Sequence, residues 1–240
     1  MDSTFDFALP DHAGPRRAPA LLVMLPGAYD TPADFILHGF VAAVRERRLD
    51  VDVQLVDAPV AYYTDQTILA RLHHDVIEPA RQQGYAQIWL AGISIGGMGS
   101  LVYSATHPSD ITGVVALAPY LGPRNISMDV VRAGGLRAWP AEGQSLPEDE
   151  TDRRLWQWLK SQAVAEATRA PPLLYWGYGL SDRFAMGHRV VAEALPSGRV
   201  FTVEGGHDWP AWIALWRQML DKLPLPGLTT QGCADDSLAP

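Results

Sequence analysis

One serine in this chain has the surroundings of a nucleophile. Ser94 lies in the stretch Gly92-Ile93-Ser94-Ile95-Gly96, directly after an apolar run from Ala86 to Ala91. Glycines two residues before and after a serine let the chain turn sharply from a strand into a helix and leave room around the hydroxyl. The helix that follows points its N-terminal amides at the same place. The pattern therefore predicts a reactive hydroxyl at the end of a buried strand.

A serine hydroxyl needs a base before it can attack a carbonyl, and one of the seven histidines is placed to act as that base. His207 follows a predicted late strand, Arg199 to Val203, through a short glycine loop. The imidazole in turn needs a carboxylate to orient it, and Asp182, just beyond the predicted strand Leu173 to Trp176, fits best. The order Ser, Asp, His is the one expected for this sheet topology. Three other carboxylates near strand ends remain as alternatives: Asp208, Glu204 and Asp57.

Acyl transfer also requires backbone N–H groups directed at the oxyanion of the tetrahedral intermediate. One is expected from Ile95, next to the predicted nucleophile. The second is expected from the loop Pro26-Gly27-Ala28-Tyr29-Asp30, which follows the apolar run Ala20 to Leu25. Ala28 is the first choice for this donor, and Tyr29 is the second.

Strands and helices must alternate to hold these residues in place. Short apolar runs predict strands buried on both faces, and apolar residues every three or four positions predict helices between them. Strands are predicted at 20–25, 51–56, 86–91, 113–118, 173–176 and 199–203, with a half-exposed strand around Phe5, Phe7 and Leu9. Helices are predicted from Thr31 to Val44, at 68–79, after Ser94, around Leu155, at 184–195 and at 209–223. This alternation predicts a mostly parallel sheet with helices on both faces.

The alternation breaks once, after the strand at 113–118. Residues 121–168 are rich in glycine, proline and charge, and we predict that they form a small cap-like insertion over one end of the sheet. A single domain is predicted for residues 1–223, followed by a flexible tail at 224–240.

Composition excludes several other classes of protein. The formal net charge of -8 argues against a nucleic-acid partner, because phosphate binding needs a basic surface. No apolar run approaches the roughly 18 residues of a membrane helix. No signal peptide is visible and the one cysteine, Cys233, forms no internal disulfide, which favours a cytoplasmic protein. His73-His74-Asp75 lacks a metal-ligand spacing, so no metal is expected there.

With these motifs, the chain resembles a compact member of the α/β-hydrolase superfamily, in its serine esterase and lipase branch. The matching segments are LPGAYD, GISIGG, GLSDRF and EGGHDWPAW, and they lie between residues 20 and 222. The resemblance implies an α/β-hydrolase fold, ester chemistry through a covalent acyl-serine, and no cofactor. One departure is that many relatives carry His-Gly in the oxyanion loop, where this chain has Pro26-Gly27. This difference leaves the backbone N–H donor of the loop in place, but it removes any role that the histidine side chain has in those relatives.

The leading hypothesis is a serine hydrolase that cleaves carboxylic esters of short to medium acyl chains. In it, Ser94 attacks the carbonyl, His207 transfers the proton and Asp182 holds the imidazole. A thioesterase or an acyltransferase is an alternative, because the same three residues serve either reaction. A non-catalytic binding protein is less favoured, since binding would not require all three. The expected partner is a small-molecule ester or thioester.

Aromatic side chains are the candidates for substrate contact. They are Tyr29, Tyr62, Tyr63, Trp139 and Trp156. The two tryptophans of the insertion either line an acyl pocket or anchor the insertion to the body of the protein, and both interpretations stay open. Tyr62 and Tyr63 carry the same ambiguity. His188, in the helix predicted after Asp182, is interpreted as a surface or packing residue.

Overall fold

The computed structural model describes residues 1–8, 17–140, 151–163 and 172–228. Its centre is a seven-stranded sheet in the order β1-β3-β2-β4-β5-β6-β7. The strands are β1 (Ser3–Asp6), β2 (Ala20–Leu25), β3 (Val51–Val56), β4 (Gln87–Ile93), β5 (Gly113–Leu117), β6 (Leu173–Gly179) and β7 (Val200–Val203). β1 pairs antiparallel with β3, and every other neighbouring pair is parallel. The predicted mostly parallel sheet is confirmed.

The described residues contain ten α-helices between and after these strands. They are α1 (Pro32–Leu37), α2 (Phe40–Glu46), α3 (Ala61–Thr64), α4 (Ile68–Leu72), α5 (Glu78–Gln82), α6 (Ile95–Thr106), α7 (Arg124–Arg132), α8 (Thr151–Gln162), α9 (Ala185–Ala192) and α10 (Trp209–Leu220). None of the helices in this part of the chain is long and apolar enough to cross a membrane.

The helices cover both faces of the sheet, as the sequence predicts. Successive residues of β2 show why its run of apolar residues is uninterrupted. Leu22 belongs to a core shared with α1, α2 and α10, whereas Leu21 and Val23 belong to a second core shared with α4 to α9. Because strand side chains alternate between the two faces and both faces are covered, every position of this strand is buried.

The predicted helix from Thr31 to Val44 is interrupted in the structure. α1 ends before Gly39, whose φ of 79° places it in the left-handed region, and α2 starts at the next residue. Glycine adopts this conformation without the steric cost that a side chain brings. A single glycine inside an apolar periodicity therefore divides one predicted helix into two short ones.

The predicted helix at 68–79 is also different in the structure, because it continues past Pro79. A π-helical turn, His73–Ile77, joins α4 to α5, and α5 runs on to Gln82. Proline has no N–H to donate, and its ring crowds the carbonyl one turn earlier. The wider π-helical turn accommodates this ring, so the helix does not end where the proline predicts.

The described part of the 121–168 segment consists of α7, α8 and their connections. Residues 141–150 and 164–168 of the predicted insertion lie outside the described residues. α7 packs against α9, and α8 packs against α6. Trp156 is completely buried and its indole N–H donates to the Leu121 carbonyl at 2.9 Å. Trp139 is also buried. These contacts favour the anchoring interpretation for both tryptophans.

Two predictions at the chain ends lie partly outside the described residues. Residues 224–228 of the predicted tail lie beside the turn before β3, where the Asp50 amide donates to Pro226 and the Leu228 amide donates to Arg48, both at 2.8 Å. Residues 229–240 and Leu9 of the predicted first strand are outside the described part of the chain.

Candidate active site

Ser94 lies between β4 and α6 in a strained backbone conformation. Its φ of 53° and ψ of -115° are values that a residue with a side chain rarely adopts. The Ser94 amide donates to the Leu117 carbonyl at 3.0 Å, and its carbonyl accepts from Met98 and Tyr120 at 3.1 and 2.8 Å. These bonds to β5, to α6 and to the loop after β5 hold the turn in place, with the hydroxyl at the carboxyl end of the sheet.

The two glycines of the turn are required by close backbone contacts. A side chain on Gly92 would collide with the carbonyl group of Gly96. A side chain on Gly96 would collide with the carbonyl oxygens of Leu25 and Pro26 at the end of β2. Only glycine lets backbone approach backbone this closely, which explains the spacing of two residues on each side of Ser94.

Three of the residues predicted from the sequence form a continuous hydrogen-bonded chain. His207 Nε2 lies 2.9 Å from Ser94 Oγ, and His207 Nδ1 lies 2.7 Å from Asp182 Oδ2. Asp182 follows β6, and His207 follows β7, the strand beside it. Their two loops touch, because a side chain on Gly179 would collide with the Gly205 and Gly206 carbonyls. The neighbouring strands β6 and β7 thus bring Asp182 and His207 together, 25 positions apart, while Ser94 reaches His207 across 113 positions from the end of β4, three strands away.

Asp182 is held as a carboxylate inside the protein. Burial raises the pKa of this carboxyl group, but hydrogen bonds from His207 and from the Phe184 amide lower it by more, and the net pKa lies below the ordinary value. The Phe184 amide donates to Oδ1 at 2.7 Å, while Oδ2 faces His207. A negative charge therefore faces the imidazole Nδ1, which suits an acid that orients a base.

The alternative carboxylates are placed elsewhere. Asp208 is the N-cap of α10, and its Oδ1 accepts from the Ala211 amide at 3.1 Å. Glu204 and Asp57 are exposed. Among the described residues, Asp182 is the carboxylate that hydrogen-bonds to His207.

The loop after β2 approaches Ser94 from the other side. A turn closed by the Asp30 amide and the Gly27 carbonyl, at 3.2 Å, puts Gly27 beside the Ser94 Cβ. The Asp30 carboxylate accepts from the Trp209 indole at 3.2 Å, which ties this loop to α10. Within the described part of the chain, the Ala28 and Ile95 amides make no backbone hydrogen bond outside helices and strands.

The predicted aromatic contacts differ widely in exposure. Tyr29 is 98% exposed and Tyr62 is half-buried under the Arg71 guanidinium. Tyr63 packs against Gly99 and lines a cavity of about 440 Å³ between α4, α6, α7 and α8. Neither Trp139 nor Trp156 lines this cavity. Of the five aromatic candidates, Tyr63 is the one that lines this cavity.

The sequence predicts that His188 is a surface or packing residue. In the structure it is completely buried beside the hydrogen-bonded chain of Ser94, His207 and Asp182. Its Nε2 lies 3.9 Å from Asp182 Oδ1, and neither ring nitrogen has a hydrogen-bond partner among the described residues. Burial lowers the pKa of this imidazole to about 4, so it is neutral at physiological pH. Its helix position gave no sign of this location, which depends on how α9 packs on β6.

We expect His188 to make the stability of the fold depend on pH. Its pKa is about 4 in the folded protein and 6.5 in an unfolded chain. Below pH 6.5 the unfolded chain therefore binds a proton that the folded protein does not, and the free energy of unfolding decreases as pH falls from 6.5 toward 4. The free energy of unfolding should fall by about 3 kcal/mol over this range through this group. Urea unfolding of wild type and His188→Gln at pH 7 and 4.5 measures the effect. Equal pH dependence in the two proteins would contradict it.

Two groups of residues in the described part of the chain have ligand atoms close enough for a metal ion, and both include His73: His73, His107 and Asp110, and His73, His74 and Glu78. One nitrogen or oxygen from each of His73, His107 and Asp110 lies within 4.8 Å of the other two. The Asp110 carboxylate already pairs with Arg81, and His73 Nδ1 lies 2.9 Å from the Tyr103 hydroxyl. These contacts explain the arrangement as a hydrogen-bonded network at the end of α6.

Comparison with protein families gives one match. The Esterase family model matches residues 63–223, which include Ser94, Asp182 and His207. The match begins after the loop that contains Ala28. Comparison with the sequences of curated proteins gives no match.

Solved structures of several hydrolases are similar to this chain. The fluorophosphonate-binding serine hydrolase F of Staphylococcus aureus has 15% identity and a TM-score of 0.60, covering 92% of this chain and 91% of its own. The S-formylglutathione hydrolase of Staphylococcus aureus has 14% identity and a TM-score of 0.56, covering 84% and 79%. Est1E of Butyrivibrio proteoclasticus, with ferulic acid bound, has 14% identity and a TM-score of 0.57, covering 92% and 94%. At these identities the likeness concerns the fold, and the predicted α/β-hydrolase fold is confirmed.

Proposed function

The chain belongs to the Esterase family and is a carboxylic ester hydrolase, and from this premise we propose that it cleaves esters of short to medium acyl chains through an acyl-serine intermediate. The observation that carries the proposal is the hydrogen-bonded chain from Ser94 Oγ to His207 and on to Asp182, with distances of 2.9 and 2.7 Å. In this proposal Ser94 is the nucleophile, His207 the general base and acid, and Asp182 the residue that orients the imidazole.

Acylation begins with the Ser94 hydroxyl. Because an ionised carboxylate only accepts hydrogen bonds, Asp182 fixes the proton of His207 on Nδ1 and leaves Nε2 to accept the serine proton. The Oγ attacks the ester carbonyl as its proton passes to Nε2, and the imidazolium then donates that proton to the departing alcohol. The strained backbone of Ser94 keeps the hydroxyl clear of the helix that follows.

The negative charge of the tetrahedral intermediate needs donors that are already in place. We assign this role to the amides of Ile95 and Ala28, with Tyr29 as the alternative to Ala28. Ile95 is the first residue of α6, so its N–H has no partner within the helix. The hydrogen bond from Trp209 to Asp30 fixes the loop that carries Ala28, which reduces the reorganisation needed during the reaction.

Deacylation reverses these roles with water as the nucleophile. His207 takes a proton from water, the hydroxide attacks the acyl-serine, and the imidazolium returns the proton to Ser94 as the acid leaves. No step requires a group beyond the protein and water.

We expect the enzyme to prefer short and medium acyl chains. The cavity that Tyr63 lines holds about 440 Å³, and the helices α7 and α8 that bound it lie in the segment predicted to be a small insertion. Hydrolysis of p-nitrophenyl acetate, butyrate, octanoate and palmitate should give kcat/KM values that are highest at or below eight carbons and at least about tenfold lower for palmitate. Highest activity on palmitate would overturn the assignment of chain length.

The same assay separates an esterase from a thioesterase. Matched butyrate esters of an alcohol and of a thiol share the acyl group and differ only in the leaving atom. The proposal predicts turnover of the oxygen ester, with kcat/KM at least comparable to that of the thioester. If only the thioester is hydrolysed, a thioesterase replaces the function proposed here.

A further inference from the structure

A second cavity, of about 270 Å³, lies against the residues that carry the proposed chemistry. Two residues that line the cavity contact the proposed catalytic residues. Tyr120 donates its amide proton to the Ser94 carbonyl at 2.8 Å. Phe184 packs its ring edge-to-face on His207, with 5.2 Å between ring centres, and donates its amide to Asp182. The cavity therefore adjoins the proposed catalytic residues.

Two arginines line this cavity, and they come from different parts of the chain. Arg124 is the first residue of α7, in the segment predicted to be an insertion, and Arg183 follows Asp182. Both are exposed. In the described part of the chain, neither guanidinium hydrogen-bonds to an acceptor or pairs with a carboxylate, and Arg183 instead lies 4.9 Å from the centre of the Phe184 ring. Two cations with no acidic partner among the described residues therefore line one cavity, in a chain whose net charge is -8.

We propose that this cavity binds a carboxylate carried by the ester substrate, so that the enzyme acts on esters with an anionic group beyond the bond that is cleaved. The inference rests on the proposed function and names its substrate class. Guanidinium groups bind carboxylates through two parallel hydrogen bonds, and they remain charged at every physiological pH. Since the protein as a whole repels anions, a local pair of cations gives an anionic substrate one favourable approach.

Two carboxyl groups contact residues that line this cavity, but neither lines the cavity itself: Asp182, which accepts from the Phe184 amide, and Asp152. Asp152 lies behind Gly122, because a side chain on Gly122 would collide with its carboxyl group, and Asp152 lines the larger cavity instead. Burial raises the pKa of the Asp152 carboxyl. The hydroxyl of Ser127, which also lines the cavity, donates to the backbone carbonyl of Arg124 and makes no bond to the guanidinium.

Matched pairs of charged and neutral esters test the proposal. For the acyl side, the monoethyl esters of succinic, glutaric, adipic and suberic acids are compared with the ethyl esters of butyric, valeric, hexanoic and octanoic acids. For the alcohol side, butyrate esters of hydroxy acids are compared with propyl and butyl butyrate. In one of the two series, acyl or alcohol, we expect the charged ester of one chain length to have a kcat/KM about tenfold higher than its neutral counterpart at low salt. Because both arginines are exposed, 0.5 M NaCl should reduce that preference.

Variants of the two arginines connect the preference to this cavity. Arg124→Gln and Arg183→Gln should each reduce the ratio of charged to neutral kcat/KM, and the double variant should abolish the preference. Arg132→Gln is the matched control, because Arg132 is exposed on the same helix, pairs with Asp129 at 3.0 Å and lines neither this cavity nor the larger one. It should keep the wild-type ratio.

Each outcome decides between the two proposals. If wild type hydrolyses neutral esters but prefers no charged ester in either arm, the substrate class is wrong and the proposed function stands. A preference that persists in the double variant, or that does not respond to salt, also overturns the assignment to this cavity. If neither charged nor neutral esters are hydrolysed, the proposed function itself fails.

Discussion

Replacement of Ser94 by alanine should lower kcat for p-nitrophenyl butyrate by about 10⁶-fold. The substitution removes the atom that forms the covalent intermediate and leaves only water as the nucleophile. The loss is expected to be that large because Ser94 Oγ is the group that His207 Nε2 contacts, at 2.9 Å. Residual hydrolysis would come from binding and from oxyanion stabilisation alone.

A neighbouring serine provides the control for this prediction. Ser100 lies in α6, and its hydroxyl donates to the Gly96 carbonyl at 2.9 Å, so it faces its own helix. Ser100→Ala should keep kcat within a few-fold of wild type. Activity of Ser94→Ala within a hundredfold of wild type would contradict the role of Ser94.

Replacement of Asp182 by asparagine should lower kcat by about 10⁴-fold. An asparagine can present its NH₂ group to His207, which would then carry its own proton on Nε2 and could no longer accept the proton of Ser94. The substitution also removes the negative charge that stabilises the imidazolium formed during acylation. The size of the side chain is nearly unchanged, so the loss reports charge and proton position more than packing.

Asp208→Asn is the matched control, since Asp208 follows His207 directly in the chain. Asp208 caps α10, and asparagine caps a helix about as well as aspartate. Its variant should keep both kcat and the thermal midpoint close to wild type. If Asp208→Asn loses activity and Asp182→Asn does not, the acid has been assigned to the wrong residue.

The positions of Ser94, His207 and Asp182 could be predicted because each depends on local pattern. Each of the three follows an apolar run and has a glycine within the three residues before it, and the topology of a parallel sheet brings the carboxyl ends of its strands together. The hydrogen bonds between them then follow from the order of β4, β6 and β7. The fold class was predictable for the same reason, since the alternation of strands and helices extends along most of the chain.

What the sequence did not predict depends on packing between distant segments. The sequence around His188 is that of an ordinary helix, and the burial of His188 beside Asp182 results from the packing of α9 on β6. Trp156 fits an acyl pocket or an anchor equally well until its indole is seen bonded to Leu121. Arg124 and Arg183 line the same cavity although they are 59 positions apart, and no sequence pattern relates them.

Labelling with a fluorophosphonate probe tests the central claim, that Ser94 is an activated nucleophile, most directly. The probe reacts with a serine only when its hydroxyl is activated, so it reports on the hydrogen-bonded chain without a choice of substrate. We predict one adduct per chain on the peptide that contains Ser94, slower labelling in Asp182→Asn and none in Ser94→Ala. An unlabelled wild type, or an adduct on any other residue, would contradict the account.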